Sequence, residues 1–246
     1  MFNINSTADE IENAKIDTVI LPIGSTEQHG SHLPIGTDCI IGEYIAQKLG
    51  EKLNVFVAPM LPISTCRENM GKKGGIWMNP DTFYHMLCDI VFCLKEQGFR
   101  NIIVLLSHGG IFTATPAIRQ INASDSEIRV IKIDLVNFFV CNEVLSVVDS
   151  KQNLHSGEIE TSIMMYINEN LVRKNNIKDC VPDVPRDYLN YASFLTLSEN
   201  GVWGCPSLAT KEKGKKLIEI MVQKSFEYYN DVIKKCGFLY SNPIKK

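Results

Sequence analysis

The chain has 246 residues, 45% of them hydrophobic and 22% charged, a balance that suits a globular protein with a sizeable core. Its formal net charge of -3 gives no global basic bias for nucleic acid, and there is no acidic block of the kind that forms a disordered tail. No stretch is apolar for long enough to span a bilayer, since the best run, Ile102 to Leu106, has only the length of a strand.

The first residues carry Asp9, Glu10 and Glu12 among polar neighbours and lack a basic-then-apolar signal pattern, so a cytoplasmic protein is expected. The run TVILPI at 18–23 predicts a first strand. Ile41, Tyr44, Ile45, Leu49 and Leu53 recur at helical spacing over 38–53. A second strand is expected at 55–61, followed by a long Gly-rich polar loop at 64–79. Residues 80–99 predict a helix, with Pro80 at its start and Gly98 near its end. A third strand at 101–106, a helix at 114–123 and a fourth strand at 127–133 follow. A further helix is expected at 157–168, an irregular segment with Pro182 and Pro185 at 173–202, and a long closing helix at 210–235.

Strands alternating with helices imply an α/β fold: one mainly parallel sheet with helices on both faces, formed by right-handed crossovers. No repeat, low-complexity segment or composition break divides the chain, so residues 1–246 are expected to form a single domain. The eight cysteines (Cys39, Cys66, Cys88, Cys93, Cys141, Cys180, Cys205 and Cys236) are scattered without a CxxC pair, and reduced thiols are expected.

Of the five histidines, His85 lies inside a helical pattern and reads as structural. The other four lie where strands end or helices begin, and ligands of open α/β sheets bind beyond the carboxyl ends of strands. After the first strand come Glu27 and His29, two residues apart, so in an extended segment both side chains point the same way. A carboxylate and an imidazole together suit zinc, manganese or iron. Asp38 follows at the end of that loop, where spacing alone favours a helix cap over a ligand. After the third strand, Ser107-His108-Gly109-Gly110 exposes a histidine at the sheet edge, as a ligand, a base or a structural residue. A third cluster opens a helix: His155-Ser156-Gly157-Glu158-Ile159-Glu160. Capping by Ser156 with acidic residues in the first turn is its plain reading. Glu158 and Glu160 cannot share a helix face, so only one of them points into a site.

At these residues the chain resembles the creatininase (creatinine amidohydrolase) family. The matching segments are Leu21-Pro22-Ile23-Gly24-Ser25 through Glu27-Gln28-His29-Gly30, His32-Leu33-Pro34, Gly36-Thr37-Asp38, His108-Gly109-Gly110, His155-Ser156-Gly157, Glu160-Thr161-Ser162 and Gly201-Val202-Trp203-Gly204. The resemblance implies a binuclear centre of two divalent ions, zinc, manganese or iron. Glu27, Asp38 and His108 would hold one ion, and His29 and the shared Asp38 the other, which makes Asp38 a bridging ligand. It also implies hydrolysis of a C–N bond by a hydroxide held between the ions, with His155 moving a proton to the leaving group. A small-molecule substrate and a homo-oligomer, a hexamer by the family's habit, are implied as well.

The chain departs from creatininase at Gly110, where that enzyme has a metal-binding glutamate, and Glu160 is the expected replacement. Leu154 replaces an acidic substrate-contacting residue, and Leu106, Ser107 and Ile111 replace the polar residues of many relatives. The expected substrate is therefore a cyclic amide or formamide other than creatinine. The alternatives are a cyclic ketone or a peptide on the same metals, or a non-catalytic metal-binding oligomer. Ser107 and the amides of Gly109 and Gly110 are expected to hold an oxyanion, and Trp77 to cover the pocket.

Overall fold

In a computed structural model, residues 1–236 are described. A short helix α1 (Ala8–Asn13) precedes strand β1 (Thr18–Ile23). Then follow α2 (Thr37–Leu53), β2 (Phe56–Val57), α3 (Pro80–Glu96), β3 (Asn101–Leu106), α4 (Ala114–Ser124) and β4 (Arg129–Asp134). The second half contains α5 (Asn142–Leu145), β5 (Asn153–His155), α6 (Glu158–Asn168), α7 (Phe194–Leu197), β6 (Trp203–Gly204) and the closing helix α8 (Lys211–Cys236).

The main sheet runs β2-β1-β3-β4 with every pair parallel. β1 and β3 are buried along almost their whole length, which is why they read as continuous apolar runs. Their alternate residues feed two separate cores. Ile20, Ile103 and Leu105 meet Ile45 and Leu49 of α2, Ile163 of α6 and Leu217 of α8. Val19, Leu21, Ile102 and Val104 meet Phe83, Leu87 and Val91 of α3 and Ile118 of α4 on the other face. Both faces are thus covered by helices, as the alternating pattern implied. The chain leaves β1 toward β2 on one side and reaches β3 on the other, so a topological switch point lies between β1 and β3, with Ile23 level with Leu106.

Several expectations need correction. The second strand contracts to Phe56–Val57: Ala58 N–H still reaches the carbonyl of Ile20, but Pro22 of β1 has no N–H to return, and the next bond is from Leu61 N–H to the carbonyl of Pro22. Helix α3 stops at Glu96, before Gly98, whose φ of 97° ends the helical path. Ser156 does not cap α6. It takes a left-handed φ of 54°, Gly157 holds the cap position, and the Asn153 side chain accepts from Ile159 N–H instead. The antiparallel pair β5–β6 was not foreseen, and it carries His155 at the end of β5. All eight cysteines are free.

Candidate metal centre

The segment after β1 folds back over the carboxyl edge of the sheet, with Gly30 at a φ of 65° supplying a turn that other residues adopt rarely. Glu27 N–H bonds the carbonyl of Ile35, which pins the loop beside the start of α2. Gly36 takes the cap position of α2, so Asp38 lies inside the first turn and aims its carboxylate into the site. The helix N-terminus favours negative charge there. β3 delivers His108 two residues past its end, β5 delivers His155, and the first turn of α6 delivers Glu160.

These side chains converge. The Oδ1 of Asp38 lies 3.2 Å from His29 Nε2, and its Oδ2 lies 3.2 Å from His108 Nδ1. Glu27 Oε1 stands 3.2 Å from the same His108 Nδ1 and 3.6 Å from His155 Nδ1. Glu160 Oε1 stands 3.9 Å from His29 Nε2, while its Oε2 accepts from Ser156 N–H. Two triplets, Glu27–Asp38–His108 and His29–Asp38–Glu160, each bring three donor atoms within 4.8 Å of one another, and they share Asp38. A third triplet joins Glu27, His29 and His155. The choice left open between the two glutamates is decided by geometry: Glu160 faces the cluster. Glu158 is turned away and accepts from Asp149 N–H, Ser150 N–H and Lys213 Nζ.

The electrostatics are those of closely packed, buried carboxylates and imidazoles. Glu27 and His29 are fully buried, yet both oxygens of Glu27, His29 Nε2 and Asp38 Oδ2 make no hydrogen bond. A buried polar group without a hydrogen bond costs about 1–3 kcal/mol, and more when it is charged. Burial pushes Glu27 up to about 7. Burial also acts to raise Asp38, but the charges of His29 and His108 overcome it and hold that carboxyl far below its usual range. Burial acts to lower His29 and His108, but the charges and hydrogen bonds of Asp38 and Glu160 at His29, and of Glu27, Asp38 and Glu68 at His108, together outweigh it, and both imidazoles end well above their ordinary value. Imidazoles and carboxylates thus face one another across the cluster at 3.2 Å. A divalent ion in each Asp38-sharing triplet satisfies the same atoms, so the residues present fit two metals.

His29 Nδ1 faces its own loop, 3.3 Å from the carbonyl of Glu27, which leaves Nε2 toward Asp38 and Glu160. His155 Nε2–H donates to the carbonyl of Gln28 at 2.7 Å, which leaves Nδ1 toward Glu27. Burial, and next the charge of His29, lower His155 to about 4, so its imidazole is neutral at physiological pH.

A cavity of about 430 Å³ opens onto the cluster, and Ser107, Gly109 and Gly110 help to line it. The Ser107 hydroxyl, however, donates to the carbonyl of Ile23, which engages the proton that an oxyanion would need. Trp77 lies outside the cavity wall and is 36% exposed; Met78 N–H bonds the carbonyl of Ser64 and holds that segment aside. The mouth is instead walled by Phe112, Arg186, Leu189 and Phe194. Sequence reasoning missed Glu68, Asn69, Arg186 and Phe194. Glu68 stands 3.2 Å from His108 Nε2, and although burial acts to raise its carboxyl, the hydrogen bond and charge of His108 hold it below its usual value. Nothing in the loop 64–79 singled it out, because it has neither periodicity nor a motif.

Comparisons with known proteins show the family and the fold. The family model of creatininase, described as creatinine amidohydrolase, matches residues 5–229. The chain is 25% identical over 224 residues to a mycofactocin precursor peptide peptidase of Mycolicibacterium smegmatis, covering 85% of this chain and 83% of that protein. It is 22% identical over 248 residues to a 3-dehydro-scyllo-inosose hydrolase of Thermotoga maritima, covering 89% and 78%. A solved mutant creatininase of the Zn-Zn type shares the fold at a TM-score of 0.80 and 20% identity, covering 94% of this chain and 97% of that one. With the family model matched from residue 5 to residue 229 on a shared fold, the chain belongs to the creatininase family of metal-dependent hydrolases.

Proposed function

We propose that the cluster holds two divalent ions, zinc, manganese or iron, and that the protein uses them to hydrolyse the C–N bond of a small cyclic amide or formamide. The observation that carries this reading is the pair of ligand triplets sharing Asp38. Glu27, Asp38 and His108 would hold one ion; His29, Asp38 and Glu160 would hold the other. The solved creatininase of the Zn-Zn type supports a pair of ions on this fold.

When bound, the ions supply a water activated near neutral pH and polarisation of the scissile carbonyl. The chain's own residues do the rest. His155, neutral and anchored through Nε2–H, presents its Nδ1 lone pair to the site. That atom takes up a proton first and afterwards delivers it to the leaving nitrogen, the sequence a single imidazole performs in acyl transfer. Gly109 and Gly110 line the cavity beside His108, and backbone N–H groups there would hold the developing oxyanion. Phe194 packs on the His155 ring, centroids 4.6 Å apart, and keeps water from its far face. Assembly as a homo-oligomer is part of the same proposal and is read directly by sedimentation.

The named relatives act on a precursor peptide and on 3-dehydro-scyllo-inosose, so the substrate panel must reach beyond amides. Metal-reconstituted protein is assayed against cyclic amides, formamides, short peptides and cyclic ketones. Turnover confined to cyclic amides or formamides is expected. Turnover of peptides or ketones alone would keep the metal hydrolase and overturn the bond assigned here.

A further inference from the structure

We propose that Glu68 is the positioning residue of His108: it accepts the Nε2–H and so fixes the imidazole in the tautomer whose Nδ1 lone pair points at the metal centre. This rests on the reading of the cluster as a metal centre. The two faces of the His108 ring have different partners. Nδ1 stands 3.2 Å from both Glu27 Oε1 and Asp38 Oδ2, the side on which an ion would sit. Nε2 points away from that side and meets Glu68 Oε1 at 3.2 Å. A carboxylate can only accept, so Nε2 carries the hydrogen. A neutral imidazole has one such hydrogen, and Nδ1 is left as the donor atom.

The space for this pair is made by Gly110. Glu68 comes from the short turn Arg67–Asn69, forty residues before His108, and its carboxylate lies directly over the Gly110 backbone. A Cβ at position 110 would stand 1.9 Å from Glu68 Oε1 and 2.5 Å from His108 Nε2, closer than any real Cβ contact. The absence of a side chain at 110 is thus a condition of the Glu68–His108 bond. Thr65, in the same segment as Glu68, donates its hydroxyl to the carbonyl of Gly110 at 3.0 Å and ties the two strands of chain together. Partners of this kind set the orientation and basicity of a ligating histidine, and losing one typically lowers metal affinity or activity about 10–100-fold.

The test compares wild type, Glu68→Ala, Glu68→Gln and Gly110→Ala as purified full-length chains. Zinc affinity is measured against a competing chelator, cobalt(II) loading gives the visible spectrum of the site, and the melting temperature of each metal-free protein controls for folding. Glu68→Ala is expected to bind one zinc equivalent about 10–100-fold more weakly with its cobalt bands shifted, and without loss of the metal-free fold. Glu68→Gln should stay near wild type in both, because its amide oxygen still accepts from Nε2–H. Gly110→Ala should repeat the Glu68→Ala defect, since the methyl group displaces the carboxylate. Wild-type affinity and spectrum in Glu68→Ala would overturn the assignment while leaving the metal centre intact, as would a Glu68→Gln defect equal to that of Glu68→Ala. A wild-type chain that takes up no zinc would overturn the metal centre itself, and this assignment with it.

Discussion

His155 and Gln28 are joined by a 2.7 Å hydrogen bond from the imidazole Nε2–H to the backbone carbonyl. The residues are 127 positions apart, so this bond locks the end of β5 onto the loop after β1. It also decides what His155 can do. The carbonyl consumes the one hydrogen of a neutral ring, and Nδ1 is left free beside Glu27. The family resemblance implies that His155 moves a proton to the leaving group; in the proposed mechanism its unengaged Nδ1 takes up that proton first.

Replacing His155 with alanine should therefore leave both ions bound and remove turnover. General acid–base groups contribute about 10²–10⁴-fold, or roughly 3–5 kcal/mol of barrier. The defect should shrink for substrates with better leaving groups. The measurement is kcat with metal content taken on the same sample. Lost metal together with lost activity would reassign His155 to the triplet it forms with Glu27 and His29.

Asp38 belongs to both paired triplets, whereas His29 belongs to only one of the two. Asp38→Ala is accordingly expected to lose both ions, and His29→Ala mainly one. Elemental analysis of the two purified variants separates them. An Asp38→Ala protein with full metal content would leave Asp38 as an acidic residue of the first turn of α2 and no ligand.

Metal uptake should strengthen as pH rises. Burial holds the Glu27 carboxyl at about 7 in the metal-free protein, so below that pH it is protonated and must ionise before it can ligate. His29 and His108, raised by their carboxylate neighbours, carry protons that an ion must also expel. Zinc affinity should thus be weaker at pH 6 than at pH 8, and binding should release protons. Calorimetry in buffers of different ionisation enthalpy reads the release directly; proton uptake on binding would run against this account.

The thiols give an independent check on the fold. Burial pushes Cys39 and Cys66 up to about 12, so both stay as unreactive thiols at pH 8. Cys93 is exposed on α3. Brief alkylation of the native protein followed by peptide mapping should label Cys93 well before the other two. Early labelling of Cys39 would mean that the start of α2 is not packed against the loop carrying Glu27.

How much of this was legible in the sequence depended on how local the cause is. Strands 18–23 and 101–106 were read to the residue, because burial on both faces writes an unbroken apolar run. The second strand was overdrawn, since its apolar run continues past Val57 while the regular ladder is broken by Pro22 of β1. β5 and β6 are three and two residues long, too short for any periodicity to show. Asp38 looks the same in sequence whether it caps a helix or faces a ligand; only the approach of His29 and His108 distinguishes the two. Glu68 was invisible for the same reason, because its role follows from a loop passing over Gly110 and not from its neighbours in the chain.

The central claim is a two-ion site organised on Asp38, and metal stoichiometry tests it most directly. Protein purified without chelator and reconstituted with zinc or manganese is analysed for metal per chain by mass spectrometry, alongside Asp38→Ala. The account predicts two ions per wild-type chain and none held by the variant. A wild-type chain that saturates at one ion, or that stays metal-free after reconstitution, would contradict it.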